Sequence, residues 1–119
     1  MMFDCAAETV VQAHIDAFNA RDLAGVIATY APDATVEFDG RSDLDLAGIG
    51  AIRSYYAAWF VDTAEWTFDV RSQQRVGDQI QVFKRLTKDD RPARSEVWFY
   101  RVADCRIEHV LQVQTMAVP

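Results

Sequence analysis

The chain has 119 residues, of which 50% are hydrophobic and 25% are charged, and its formal net charge is −6 at pH 7. This length suffices for one buried core, while an acidic chain with scattered basic residues is a poor partner for nucleic acid. No apolar run is as long as the ~18 residues of a membrane span, and the start "MMFDCAAET" lacks the basic residues of a secretory signal. We therefore expect a soluble, cytoplasmic protein with a single pocket domain over residues 1–119 that binds neither nucleic acid nor membrane.

The two cysteines, Cys5 and Cys105, lie near opposite ends of the chain. This spacing matches neither a disulfide framework nor a metal-binding CxxC pattern, so we expect free thiols in a reducing compartment. The two histidines are far apart, and no dinucleotide or nucleotide-triphosphate motif occurs. The sequence therefore predicts no metal site and no cofactor.

The first helix is predicted after Asp4, which can cap its amino end. Its apolar stripe, at the spacing i, i+4, i+7, consists of Val11, Ile15 and Phe18. The polar stretch "NARD" interrupts this pattern, so we expect the helix to end there.

A second helix is predicted after its cap, Asp22, and it must end before Pro32, because the residue before proline disfavours the helical conformation. Its apolar face is expected to comprise Leu23, Val26, Ile27 and Tyr30. The segment "TVEF" then opens a strand, and residues 39–50 form a polar loop. A third helix is marked by Ile52, Tyr56, Trp59 and Phe60.

From Trp66 onwards the apolar residues recur with the period of two that is typical of strands. Turns are predicted at "VGDQ", "KDDRP" and "ADC", and the last two strands are expected over residues 93–102 and 106–116. Helices followed by an antiparallel meander predict an α+β domain. We expect three helices on a strongly curved, mainly antiparallel sheet, which forms a cone-shaped barrel open at one end.

The stretch "AFNARDLAGVIATYAPDATVEF", followed by "GIGAIRSYY", resembles the SnoaL-like polyketide cyclases and ketosteroid isomerases of the nuclear transport factor 2-like superfamily, which has a cystatin-like fold. The resemblance implies a cone-shaped cavity with one wall formed by the first helices and the strand at Asp33, Ala34 and Thr35. It does not fix the function, because this superfamily includes isomerases, cyclases, dehydratases, epoxide hydrolases and proteins without chemistry.

His14 lies on the flank of the first helix's apolar stripe, so its side chain should point inward at an angle. By resemblance it matches the isomerase tyrosine that donates a hydrogen bond to the developing oxyanion. A histidine could donate there or act as a base, since its ordinary pKa is near working pH. The alternative is a histidine bonded to a backbone carbonyl.

The isomerases place an aspartate base at the end of the strand "TVEFDG". Direct alignment puts Phe38 at that position, whereas a one-residue insertion brings Asp39 into register. Strand alternation places Phe38 with Val36 and Asp39 with Glu37, so Asp39 faces the pocket only if a bulge turns it inward. The alternative for Asp39 is a solvated loop acid.

The isomerases also carry a protonated acid on a late strand, and here Val97 matches that position with Glu96 beside it. Arg94 and Glu96 are similar to the Arg-x-Asp pair of limonene-type epoxide hydrolases, but the last strand offers no further aspartate. We expect Arg94 and Glu96 to form a surface or interface ion pair. Trp98, Tyr100 and Gln112 are predicted to contact a second subunit in a homodimer.

On the last strand, His109 alternates with Ile107, Leu111 and Val113, which predicts an apolar, inward face for it. It is either a core residue or a second proton-transfer group that faces His14 across the cone. SnoaL-like cyclases place a histidine and an aspartate in the pocket, but the usual acid after "EH" is here Leu111 or Gln112.

Together these residues predict a protein that binds a small apolar, steroid- or polyketide-like molecule bearing a carbonyl or hydroxyl. As an isomerase or cyclase it would use Asp39 or His109 as the base and His14 as the donor to the enolate oxygen. As a binding or dimerisation module it would keep the pocket without a positioned base. The expected ligand contacts are Phe18, Tyr30, Phe38, Tyr55, Trp59, Trp66 and Val97.

Overall fold

Three α-helices, one short 3₁₀ helix and six strands form from residues 5–62, 66–88 and 91–114, the part of the chain that the computed structural model describes. The α-helices are α1 (Ala7–Asn19), α2 (Leu23–Ala28) and α3 (Ile49–Asp62), and the 3₁₀ helix is Ser42–Leu44. The strands are β1 (Tyr30–Phe38), β2 (Leu46–Ala47), β3 (Trp66–Val76), β4 (Gln79–Lys88), β5 (Arg91–Ala103) and β6 (Arg106–Gln114).

The strands form one mixed sheet in the order β2-β1-β6-β5-β4-β3. Strands β3 to β6 make the predicted antiparallel meander, whereas β1 pairs with β6 in parallel. The α+β class is therefore confirmed. In the described part of the chain β2 and β3 are the free edges of the sheet, so strand pairing does not close the expected cone-shaped barrel.

The junction of α1 and α2 follows local rules that the sequence carries. Arg21 adopts a positive φ of 59°, and the backbone N–H groups of Arg21 and Asp22 donate to the carbonyls of Phe18 and Ala17. These two bonds form a Schellman motif, which ends α1. The Asp22 carboxylate then accepts from the Gly25 N–H at 3.0 Å, so the predicted break and the predicted cap are confirmed. The expected Asp4 cap lies outside the described residues.

We expected Tyr30 on the apolar face of the second helix, but it is the first residue of β1. α2 ends at Ala28, and the Ile107 N–H donates to the Thr29 carbonyl at 2.7 Å, which starts the pairing with β6. The register of β1 is irregular between Tyr30 and Thr35. Pro32 lies inside this irregular segment, where a strand tolerates the missing N–H group.

The inner face of the sheet, which packs on the helices, is set by β4. Its buried residues Ile80, Val82 and Leu86 are directly opposite Tyr100, Trp98 and Arg94 of β5. Cross-strand neighbours project to the same face, so Glu96, Trp98 and Tyr100 are also interior. Our assignments of Val97 to the cavity and of Trp98, Tyr100 and Gln112 to a subunit interface are therefore wrong. Val97 lies on the opposite, outer face.

A β-bulge in β6 changes which residues face inward. Ile107 pairs with Val102 and His109 pairs with Arg101, so Glu108 is an extra residue in the ladder. As a result Ile107, Val110 and Gln112 are buried on the inner face. His109 follows the bulge and lies on the outer face, and its predicted inward orientation is therefore wrong.

Cys5 and Cys105 form a disulfide, so the expected free thiols are wrong, and the reason for expecting a reducing compartment falls with them. The bond joins Cys5, just before α1, to the turn between β5 and β6. Asp104 and Cys105 both have positive φ there, 52° and 63°, as is typical of a tight turn that joins two strands of a hairpin.

No helix among the described residues is long and apolar enough to cross a membrane.

Candidate functional site

A groove with a volume of about 240 Å³ opens between the end of β1, the side of α3 and the inner face of β5 and β6. Its lining residues are Phe38, Asp39, Arg41, Leu44, Tyr55, Trp59, Arg94 and Gln112. Further in, the groove meets a narrow inner pocket, which has no room for a water molecule. The two spaces share Tyr55, Trp59, Arg94 and Gln112.

Glu96, which lines the inner pocket, is fully buried and surrounded by donors. Its carboxylate accepts hydrogen bonds from Trp98 Nε1 at 2.7 Å and from Gln112 Nε2 at 3.0 Å. Arg94 Nε lies 2.7 Å from Glu96 Oε2, but the N–H does not point at the oxygen, so this contact is a charge pair. Arg94 and Glu96 pair as expected, but Glu96 is fully buried, so the expected surface location of the pair is wrong.

The role of Glu96 follows from its partners. Among the described residues its carboxylate contacts two hydrogen-bond donors and a cation, so it acts as an acceptor, whereas the late-strand acid of the isomerases acts as a donor. Removing one partner from a buried charge is strongly destabilising, and the three partners are therefore held in place. Glu96 positions Arg94 and Gln112 at the junction of the groove and the inner pocket.

Tyr55 on α3 brings a protonated hydroxyl to the groove. Burial raises the pKa of Tyr55 to about 12, although a hydrogen bond with Trp59 lowers it. The ring packs against Phe38, with centroids 5.6 Å apart. At neutral pH this phenol can donate a hydrogen bond to a ligand oxygen.

Asp39 lies in the turn that follows β1 and lines the groove with Phe38. Its backbone N–H donates to the Gln112 carbonyl at 2.9 Å, which fixes the turn against β6. The side chain is exposed. Phe38 and Asp39, either of which could match the position of the isomerase base, therefore both border the groove. Asp39 supplies its carboxylate.

His14 is fully buried in an aromatic cage and does not line the groove. Its ring makes edge contacts with Tyr30, Tyr56 and Tyr100, with centroids 5.4 to 5.8 Å away. Neither ring nitrogen has a hydrogen-bond partner among the described residues, and burial holds the pKa of His14 well below its ordinary value. The inward direction is confirmed, but Asp39 is not brought to this histidine.

His109 is hydrogen-bonded to Thr35 Oγ1 at 2.7 Å through its Nδ1. Its Nε2 lies 3.9 Å from Glu37 Oε2. Both neighbours are on the outer face of β1, so His109 does not face His14 across the sheet.

Lys84 is a buried lysine that was not among the predicted site residues. Its Nζ lies 3.8 Å from the centroid of the Trp98 ring and donates to the Tyr100 hydroxyl. Desolvation lowers the pKa of Lys84 to about 7, and the charge of Glu96 opposes this shift. The signal was present, because Lys84 falls within the inward alternation of Ile80, Val82 and Leu86.

The other predicted contacts fall in several places. Phe18, Tyr55 and Trp59 line the inner pocket, whereas the Tyr30 hydroxyl is hydrogen-bonded to that of Tyr56 at 3.0 Å within the cage. The side chain of Trp66 lies outside the described residues. Among the residues that the structure describes, no group of three His, Cys, Asp or Glu could hold a metal ion.

Comparison with known proteins gives a family and a fold. A family model described as "SnoaL-like domain" matches residues 11–110. A protein from Kribbella flavida with the provisional name ketosteroid isomerase superimposes with a TM-score of 0.78 at 20% identity, over 93% of this chain and 78% of that one. A protein from Sinorhizobium meliloti, provisionally named polyketide cyclase, has a TM-score of 0.75 and 22% identity, over 87% and 93% of the chains.

A third similar structure is an uncharacterised cystatin-fold protein from Novosphingobium aromaticivorans. Its TM-score is 0.79 at 21% identity, over 92% of this chain and 98% of that one. At such identities the three structures share the fold with this chain, and the chemistry has to be argued from the groove.

Proposed function

The chain belongs to the SnoaL-like domain family, and on this premise we propose that it binds a small, mostly apolar ketone in the groove and moves a proton next to the carbonyl. This is the reaction type of an isomerase or a cyclase without a cofactor. One observation carries the proposal: Asp39, Tyr55 and Arg94 line a single groove. A carboxylate, a phenol and a guanidinium are a base and two oxyanion donors.

The walls of the groove favour a flat ligand. Phe38, Tyr55 and Trp59 supply three aromatic rings, and aromatic surfaces bind planar apolar groups well. We propose that the sheet and helices together enclose a cone that opens at this groove. A steroid- or polyketide-like ketone would enter with its carbonyl directed toward Arg94.

The proposed proton transfer has two steps. The Asp39 carboxylate removes a proton from the carbon beside the carbonyl, and the electron pair moves onto the oxygen to give an enolate. Tyr55 and Arg94 donate hydrogen bonds to that oxygen. The protonated Asp39 then returns the proton to a carbon of the enolate system. In a cyclisation the enolate instead attacks a second carbonyl of the same molecule, and Asp39 gives its proton to the alkoxide that forms there.

Two other functions of this fold are alternatives to the proposed proton transfer. A binding module without chemistry is supported by the separation of His14, Asp39 and His109 in the structure. An epoxide hydrolase-like activity is favoured by the interior Arg94 and Glu96 pair. It also needs a second acid on the last strand, and the inward residue there is the neutral Gln112.

Hydrogen exchange in the ligand separates these functions. Steroid- and polyketide-like ketones are incubated with the protein in D₂O, and deuterium uptake beside the carbonyl is followed by NMR. The proposal expects catalysed exchange that Asp39→Asn reduces at least about hundredfold, in line with the contribution of a general base. Asp33→Asn, which changes an exposed acid of β1 outside the groove, is the matched control. Ligand binding without exchange would favour the binding module.

A further inference from the structure

Gln112 carries an unpaired acceptor at the junction of the groove and the inner pocket. The side chain is only 6% exposed, and its Oε1 has no hydrogen-bond partner among the described residues. Gln112 lines both spaces. Buried acceptors in proteins are nearly always paired, so this atom lacks a partner that a ligand donor could supply.

The orientation of the Gln112 amide follows from Glu96. The Glu96 carboxylate accepts from its other partners, so the group of Gln112 that faces it must be the NH₂ and not the oxygen. The carbonyl oxygen Oε1 is thereby directed away from Glu96. Glu96 thus fixes the orientation of the Gln112 amide and leaves Oε1 as the acceptor for a ligand.

Arg94 supplies the complementary group at the same place. Its Nε and the Gln112 Nε2 both contact one atom, Glu96 Oε2, at 2.7 and 3.0 Å, so the ends of these two side chains are neighbours. The guanidinium is partly exposed and lies over the Trp59 ring, 5.7 Å from its centroid. It can donate to a ligand oxygen beside the group that Gln112 accepts.

We propose that the ligand carries a hydroxyl adjacent to its carbonyl, as in a 2-hydroxy ketone. The hydroxyl donates to Gln112 Oε1 and the carbonyl oxygen accepts from Arg94. This inference rests on the proposed function, because it names the substrate class of the same groove. An apolar ketone without the hydroxyl would leave the Gln112 acceptor buried and unpaired.

Three matched aromatic ketones test the proposal. Benzoin has a hydroxyl beside its carbonyl, deoxybenzoin lacks the hydroxyl, and benzoin methyl ether keeps the oxygen but cannot donate. Dissociation constants are measured by calorimetry with the full chain. We expect benzoin to bind about tenfold to hundredfold more tightly than either analogue, the range for one hydrogen bond to a buried group.

Three variants show which residue causes the preference for benzoin. Gln112→Met should abolish it, while Gln12→Met, which changes an exposed glutamine of α1 outside the groove, should retain it. Trp98→Phe also removes a donor from Glu96 but leaves the Gln112 acceptor in place, so it should keep the preference as well. This third variant separates loss of the acceptor from general damage around Glu96.

Each outcome decides the inference. Equal binding of benzoin and deoxybenzoin would overturn the hydroxy-ketone assignment and leave the proposed proton transfer standing. A preference that survives Gln112→Met would also overturn it. Failure of all three ketones to bind at millimolar concentration would count against both the inference and the proposed ketone site, whereas absence of exchange alone would count only against the proposed proton transfer.

Discussion

Lys84 on β4 is directly opposite Glu96 on β5, and both side chains are fully buried on the inner face of the sheet. The lysine lies among the rings of Phe68, Trp98 and Tyr100, and desolvation lowers its pKa to about 7 in spite of the nearby Glu96. The core therefore contains a group that changes its charge close to neutral pH.

Lys84 should make the stability of the protein rise with pH. Its folded pKa, about 7, is below the ordinary value of 10.5, so between these values the unfolded chain binds more protons. The free energy of unfolding then increases from pH 7 toward pH 9.5, by an amount on the order of 1 to 3 kcal/mol. Urea unfolding at the two pH values measures the increase, which Lys84→Met should remove.

Arg71→Met, which removes an exposed cation from β3, is the control for this test and should keep the increase. An equal increase in Lys84→Met and in the unchanged protein would show that Lys84 keeps its ordinary pKa.

His14 should reduce stability in acid. The pKa of His14 is held well below 6.5, so the unfolded chain gains a proton as the pH falls through 6.5 while the folded chain does not. Between pH 7 and pH 5 the free energy of unfolding should therefore fall, by at most about 2 kcal/mol, and His14→Leu should lessen this fall. Urea unfolding at both pH values measures the difference, which is independent of any constant packing effect.

Ketone binding gives a second readout for the same variant. His14 does not line the groove, so His14→Leu should leave ligand affinity unchanged. A tenfold or greater loss of affinity in a variant that stays folded would instead assign His14 to the site.

The disulfide should contribute strongly to stability, because it links residues 100 positions apart. Closing so long a loop restricts the unfolded chain, and removal of such a bond typically costs about 2–5 kcal/mol. Urea unfolding with and without a reducing agent measures this contribution. The double variant Cys5→Ala, Cys105→Ala should match the reduced protein and show no response to the agent. An unchanged midpoint on reduction would contradict the prediction.

The outer face of the sheet should pair with a second copy of the chain. It presents an apolar patch that no helix of the described residues covers, and the patch comprises Phe83, Val97, Phe99, Leu111 and Val113. Charges of both signs, including Arg85 and Glu37, lie on the same face, so two copies related by a twofold axis can match them. This proposal replaces the earlier interface through Trp98, Tyr100 and Gln112.

Light scattering at micromolar concentration tests the homodimer. Phe83 is 38% exposed, so Phe83→Glu should disrupt pairing without disturbing the core. Val61→Glu changes a more exposed apolar residue at the end of α3 and should leave the dimer intact. A monomeric unchanged protein would refute the proposal.

The order of helices and strands could be predicted from the sequence because its signals are local. The Asp22 cap, the break after α1 and the turns before β4 and β6 each depend on a few consecutive residues. The apolar periods of about 3.6 and 2 likewise distinguish helix from strand within one segment. The aromatic side of α3 also follows from such a short pattern, whereas the sequence left open whether Phe38 or Asp39 faces the pocket.

The choice of inward and outward faces was decided by the tertiary structure. Side chains alternate along a strand, so the extra residue Glu108 moved His109 outward and Gln112 inward. On β5 the buried face is set by pairing with β4, which brought Glu96 into the core opposite Lys84. The Cys5 to Cys105 bond likewise depends on where two distant segments meet. Local sequence determines the elements, whereas strand register over long separations determines which polar groups share the interior.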